Sequence, residues 1–481
     1  MKKNIVLALL CLLALNVFAK VKLPAILGDN MVLQQQSKAN LWGWGTPLKN
    51  IIITPSWNGK KYIAKADKEG RWLIQVETPV AGNNPYSIEI NDGEVLKLNN
   101  ILIGEVWISA GQSNMEMPIH GFYGQPVAGG MNEAFDANQY PNIRIFTVGR
   151  KPMPDPQDDC EGSWLTSTPQ NVADFSAVSY FFGKNLNKIL NIPIGLITAN
   201  CGGTGIESWM SMDAIKGTLG IDQELAMKPI NNWESTIPTR LYNGMINPIT
   251  KYTSKGFLWY QGESNQHNYF DYDKLMKSMV DLWRKEWGNP DMPFYYVQLV
   301  PFTFDGVDKI SLPLTIEAQY KALMQIPNAG IAATTDLGHA TAIHPPHKKE
   351  VGDRLSALAL KHTYGINVLP DAPVIDKVNF EGEKVVLTFK NIADYTPWAQ
   401  GSFSYFTGEL KGFEISGDDR KFYPAKATHI ENQNRIEVSC EQVSHPVAVR
   451  YAFRNFHDAN VVTTEGQPLV PFRTDNWNDV Y

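Results

Sequence analysis

Cysteine is scarce: there are four in 481 residues, and one of them, Cys11, lies in an apolar stretch at the start. The other three, Cys160, Cys201 and Cys440, are an odd number and cannot form a complete disulfide framework. One bridge among them is allowed in an oxidising compartment, as are buried free thiols. Basic charge is also thin, with 43 lysines and arginines against 49 acids, a net charge of −6 and no basic run longer than two. That excludes the electrostatic footprint of a nucleic-acid binder. No stretch approaches the roughly 20 apolar residues that a membrane-spanning helix needs. Glycine, at 37, and proline, at 30, are near ordinary usage, so neither a collagen-like nor a disordered chain fits. What remains is a globular chain with room for more than one core at the usual domain size of roughly 100 to 200 residues.

The first nineteen residues stand apart: Lys2 and Lys3, an apolar run from Ile5 to Leu15, then Val17-Phe18-Ala19 with small residues where a signal peptidase would cut. Residues 1–19 therefore read as a cleaved secretory signal, and the mature protein is expected to be exported, periplasmic or extracellular. Residues 20–100 show short strands and turns, an N-terminal β domain. Within it Asn50 to Trp57, the Asn58-Gly59 pair and Lys60 to Ala66 predict a hairpin closed by a two-residue turn. Across residues 101–365 strands alternate with helices, the helices falling at Ser176–Leu190, Tyr269–Trp287, Leu314–Ile326 and Lys348–His362. This alternation predicts an α/β domain with a parallel sheet, its ligands beyond the carboxyl ends of the strands. Residues 366–481 lose the helical period and predict a second β region.

Four loops in the α/β segment carry residues capable of chemistry. The first follows Glu105 to Ala110 and reads Gly111-Gln112-Ser113-Asn114-Met115. A serine at a strand-to-helix turn can expose its hydroxyl and aim its own N–H at a developing oxyanion, although serine is also a routine helix cap. Met115 stands where the second glycine of a G-x-S-x-G elbow belongs, which disfavours an ordinary α/β-hydrolase. The second loop, Cys201-Gly202-Gly203-Thr204-Gly205-Ile206-Glu207-Ser208-Trp209, can bring backbone N–H groups to an anion, but no lysine follows to make it a P-loop. The third, Trp259-Tyr260-Gln261-Gly262-Glu263-Ser264-Asn265, offers an amide, a carboxylate and aromatic surface, or merely caps the next helix. The fourth, from Thr334 to His347, holds three of nine histidines. His344, stiffened by Pro345 and Pro346, is the better base for a serine nucleophile. A metal site built from Asp336, His339, His344 and His347 is the rival chemistry; no metal or other cofactor is expected.

The ordered blocks Gly-Gln-Ser-Asn-Met, Gly-Gly-Thr-x-Ile-Glu-x-Trp, Trp-Tyr-Gln-Gly-Glu-Ser-Asn and Ile-His-Pro resemble the sialate O-acetylesterase family of the SGNH hydrolases. The resemblance runs from Gly28-Asp29-Asn30-Met31 to Pro471-Phe472-Arg473-Thr474-Asp475. It implies a three-layer α/β/α core and a serine esterase that removes acetyl groups from sugar hydroxyls. In that reading Ser113 attacks the acetyl carbonyl, His344 is the base, and the N–H groups of Ser113 and Gly203 with the Gln261 amide hold the oxyanion. The family often places an aspartate two or three residues before the histidine, where this chain has Ala342 and Thr341. Glu263 is the first candidate to orient His344 instead, and Asp336 the second. Trp209, Tyr242 and Trp259 could stack on a pyranose ring, with Asn265 beside them. The partner is then an O-acetylated carbohydrate, on a sialic acid or a plant polysaccharide such as xylan. The competing class is a non-catalytic sugar-binding protein, favoured by the missing acid.

Overall fold

The computed structural model describes residues 21–393, 403–404, 408–430 and 433–478. The signal sequence expected over residues 1–19 lies outside them. One strand, Val95–Gly111, seventeen residues long, organises the chain. Its first half pairs with Gly82–Asn91 and Val32–Gln34, and its second half with Ile194–Asn200 and Gly256–Tyr260. The junction expected between residues 100 and 101 thus falls inside a single strand. Continuity there has a steric condition, because a Cβ on Gly104 would sit 2.0 Å from the Pro193 carbonyl oxygen.

The central sheet runs Ala329–Ala332, Phe294–Val297, Gly256–Tyr260, Val95–Gly111, Ile194–Asn200, Ile143–Thr147, Trp164–Thr166. All neighbours are parallel except the last pair, at the edge. Successive side chains on a strand point to opposite faces, and two cores result. Val106, Ile108, Ala110, Phe257 and Trp259 pack with Tyr272, Leu275 and Trp283 of helix Tyr269–Glu286. Trp107, Leu258 and Tyr260 pack with Phe181 and Phe182 of helix Ala177–Leu190 and with Leu355 and Leu358 of helix Lys348–His362. The architecture is therefore three-layer α/β/α, as expected. Each helix lies close to its sequence-based position, and Ser176, expected as the first residue of its helix, caps it by accepting from Ser179 N–H at 3.3 Å. Among the described residues no helix is long and apolar enough to cross a membrane.

The hairpin differs from expectation. Strands Asn50–Pro55 and Tyr62–Lys65 pair with Ile53 opposite Tyr62, which leaves a loop longer than two residues. Trp57 is drawn away from the ladder because its indole N–H donates to the Glu77 carbonyl, and Asn58 Oδ1 accepts from Lys60 N–H in a local Asx turn. Near the carboxyl end, two four-stranded antiparallel sheets face each other. They share a core of Val385, Leu387, Phe389, Ile415, Val438, Val449 and Tyr451. Asn455 fixes this sandwich to the α/β part by accepting from Leu312 N–H at 2.9 Å. Cys160, Cys201 and Cys440 are free thiols.

The register sets up the site. Gly111 lies opposite Asn200 on one side and Tyr260 on the other, so the first three loops leave the sheet at the same level. Gly111 has φ +145°, and a Cβ there would lie 2.2 Å from the Tyr260 carbonyl oxygen. Gly111→Ala is expected to destabilise the protein by roughly 3 kcal/mol or more, through strain and a backbone clash together. Thermal unfolding checks this, and a midpoint within a degree of the parent would contradict it.

Candidate active site

Ser113 opens a one-turn helix, Ser113–Glu116, straight after the strand, and is half-buried. The capping position belongs to Gln112, and no side chain caps the turn. The Ser113 hydroxyl is therefore not engaged in capping. Gly202 lies against it, since a Cβ on Gly202 would be 3.2 Å from Ser113 Cβ. Glu116 holds this glycine loop in place: its Oε2 accepts from Gly202 N–H at 2.7 Å and its Oε1 from Arg150. Among the described residues the N–H groups of Ser113 and Gly203 have no partner. With the loop held and Gly203 at φ +72°, these two N–H groups are free to receive an anion.

The other expected donor is engaged. Gln261 is fully buried, and its Nε2 donates to Asn265 Oδ1 at 2.7 Å, the Thr204 carbonyl at 3.0 Å and Gln112 Oε1 at 3.2 Å. Its Oε1 accepts from Tyr272 OH. Gln261 braces the loops from beneath and does not face an oxyanion. Asn265 is fully buried too; its Nδ2 donates to both Glu207 oxygens at 3.0 Å, and its Oδ1 also accepts from Ile206 N–H. Trp209 and Trp259 meet edge to face at 5.9 Å inside the core, and Tyr242 is buried. All four are buried, and none offers an open face beside Ser113. Trp259 lies in a strand covered on both faces, and Trp209 packs against it beneath the glycine loop. An exposed aromatic beside the glycine loop is Trp233, 59% accessible, whose ring reaches within 3.1 Å of where a Gly203 Cβ would stand.

His344 comes close to the serine loop through its neighbour: Asn114 Nδ2 donates to the Ile343 carbonyl at 3.1 Å. Neither candidate acid reaches the imidazole. Asp336 forms a two-pronged ion pair with Arg354, both contacts 2.7 Å. Glu263 Oε1 accepts from Asn114 Nδ2 at 2.5 Å, and Lys348 Nζ donates to Asn114 Oδ1 at 2.6 Å. The Nδ1 of His344 instead meets Gln125 Oε1 at 2.9 Å. The metal set does not converge either: His339 Nδ1 accepts from the N–H groups of Thr341 and Ala342, and His347 faces Glu350.

Burial dominates the electrostatics. It pushes the Glu263 carboxyl up and the Lys348 ammonium down to about 7. It also lowers His344 to about 4, and the nearby Lys348 adds to that. The Glu263 Oε2 atom is buried without a hydrogen bond. The functional residues not foreseen are Gln112, Asn114, Glu116, Gln125, Trp233 and Lys348. Asn114 lies within the serine block and was within reach of sequence reasoning; Gln125 carries no motif.

A half-buried serine at the carboxyl edge of a parallel sheet in a three-layer α/β/α core, beside free backbone donors, defines a carboxylic ester hydrolase of the SGNH type. The sequence profile of the family described as "Carbohydrate esterase, sialic acid-specific acetylesterase" matches residues 103–361. The chain belongs to that family. It is 28% identical to the mouse sialate O-acetylesterase, over 88% of each chain, and 26% identical to the human one, over 90% of this chain and 87% of that one. The crystal structure of a carbohydrate acetylesterase from Xanthomonas citri is 34% identical and superposes with a TM-score of 0.84, covering 95% of this chain and all of that one.

Lys348→Met should leave Asn114 Oδ1 without its donor and remove the cation nearest Glu263, and cost roughly 1–3 kcal/mol. Denaturant unfolding measures this, with the Lys348→Met/Glu263→Gln pair expected to recover part of the loss. Equal stability of the single and double variants would show that the two charges do not interact.

Proposed function

We propose that the protein removes O-acetyl groups from carbohydrate hydroxyls, with acetylated sialic acid as the sugar, by a mechanism in which Ser113 is the nucleophile and His344 the base. The observation that carries this is the uncapped Ser113 hydroxyl beside the free N–H groups of Ser113 and Gly203, one residue from the amide that anchors the histidine loop. The names of the mouse and human relatives support sialic acid as substrate. The leader-like start of the chain supports export.

The chemistry follows from the donors. Ser113 Oγ attacks the acetyl carbonyl carbon while His344 Nε2 takes the hydroxyl proton. The negative charge gathering on the carbonyl oxygen meets the two free N–H groups. Collapse breaks the bond to the sugar oxygen, which receives the proton from His344 and departs, leaving acetyl-Ser113. Water then attacks the acetyl group, His344 accepts its proton and returns it to Ser113, and acetate leaves. Trp233, beside the glycine loop, takes the place of Trp209, Tyr242 and Trp259 as the aromatic surface offered to the sugar ring.

Ser113→Ala should lower kcat/KM on 4-nitrophenyl acetate by at least about 10³-fold; an unchanged rate would end the serine mechanism. Trp233→Ala should raise KM for an acetylated sialoside while leaving the small ester unaffected. Acetate release from acetylated sialosides and from acetylated xylo-oligosaccharides decides the sugar, and preference for the xylo-oligosaccharides would overturn the sialate assignment. The neutral imidazole is the active form of the base. With its pKa lowered to about 4, kcat/KM should hold as pH falls through 6.5 and decline only near 4. A decline centred at 6.5 would contradict the buried environment given to His344.

A further inference from the structure

The loop from Gly121 to Gly129 meets the histidine loop at three points. Phe122 sets its ring edge-on to the imidazole, with centroids 5.1 Å apart. Ala128 N–H donates to the Pro346 carbonyl at 2.9 Å. Gln125 Oε1 lies 2.9 Å from His344 Nδ1. The loop holds Gln125 firmly, because Phe122 and Gln125 exchange backbone hydrogen bonds of 2.9 Å each way across a turn whose Gly124 has φ +71°. Building on the Ser113–His344 mechanism, we propose that Gln125 is the positioning residue of the base, an uncharged amide standing where related hydrolases use a carboxylate.

An amide oxygen can only accept a hydrogen bond, so the Nδ1 facing it must carry the proton. The neutral ring then has its lone pair on Nε2, the atom required to deprotonate Ser113. Glu263 and Asp336 cannot supply this, since Asn114 and Arg354 hold them. An amide fixes the tautomer as a carboxylate would, but it brings no negative charge to stabilise the imidazolium. The charged and titratable groups around the ring are Lys348, with Glu263 across Asn114, and the His347–Glu350 pair at the entry to the following helix. On the side of the Gln125 loop they are the His120–Asp174 pair and Arg150 with Glu116. Of these, Lys348 is the charge that acts on His344, and it disfavours the protonated ring. Burial is the larger cause of the ring's low affinity for a proton, and the Gln125 amide brings no anion to offset it.

Two variants of the full-length protein test this, read on 4-nitrophenyl acetate as pH profiles of kcat and kcat/KM. Gln125→Glu keeps the acceptor and adds the charge. It should remain active, and the acid limb of kcat/KM should move up by about one unit or more. Gln125→Met keeps the volume and removes the acceptor. Its kcat should fall by about 10²-fold or more with KM little changed, since a mispaired triad histidine can lose about 10⁴. An acid limb unmoved in Gln125→Glu would overturn the proposal, as would loss of activity in that variant while it stays folded. Should Gln125→Met fail to fold, the Gln125→Glu profile alone decides. Failure of the underlying reading looks different, because Ser113→Ala would then retain activity and leave the Gln125 profiles unexplained by any serine base pair.

Discussion

One buried amide ties the catalytic loops together. Asn114 follows the candidate nucleophile, and through its side chain it holds Glu263 of the third loop, the Ile343 carbonyl of the histidine loop and Lys348 of the next helix. Each of those groups would be costly to bury alone, the two charged ones especially. Their meeting at a single residue fixes serine relative to histidine more effectively than contacts made separately, because no loop can shift without leaving a buried polar group unmatched. The carboxylate expected beside the imidazole acts at one remove: through Asn114 it anchors the strap that carries His344.

The layering of the fold was legible in the sequence because periodicity reports burial. Helix Lys348–His362 lies where the pattern puts it, and the strand Gly256–Tyr260 is apolar throughout, as a strand covered on both sides must be. The joining of the N-terminal β region to the α/β core was not legible, since the change of rhythm sets the boundary at 100/101 and nothing local shows that a strand runs through it. The Asn58-Gly59 turn was misread for the complementary reason. Its local preference is genuine, but pairing stops at Ile53 and Tyr62, and Trp57 turns to the Glu77 carbonyl.

At the site, the four loops were legible because each begins where an apolar strand stops; the register makes the first three stopping points adjacent, and the fourth loop reaches them from the edge strand Ala329–Ala332. The aromatic proposed for the sugar was not. Trp259 stands in a strand covered on both faces, so either parity buries it, whereas Trp233 stands in an irregular segment without periodicity to mark it. The partner of His344 was hidden more deeply. Gln125 is 219 positions away along the chain, in a loop defined by its glycines, and only the folded backbone brings it to the ring.

The long strand shared by the N-terminal β region and the central sheet carries a consequence for how this protein can be divided. A break at Asn100 would part Val32–Gln34 from Leu102–Gly104, and Gly82 and Tyr86 from Ile103 and Ile101, while Ile194–Asn200 and Gly256–Tyr260 would keep their partners on residues 105–111. The loss falls on the N-terminal part, whose strands share one row of teeth with the central sheet like half of a zip. A cut that spares its template has to lie outside Val95–Gly111.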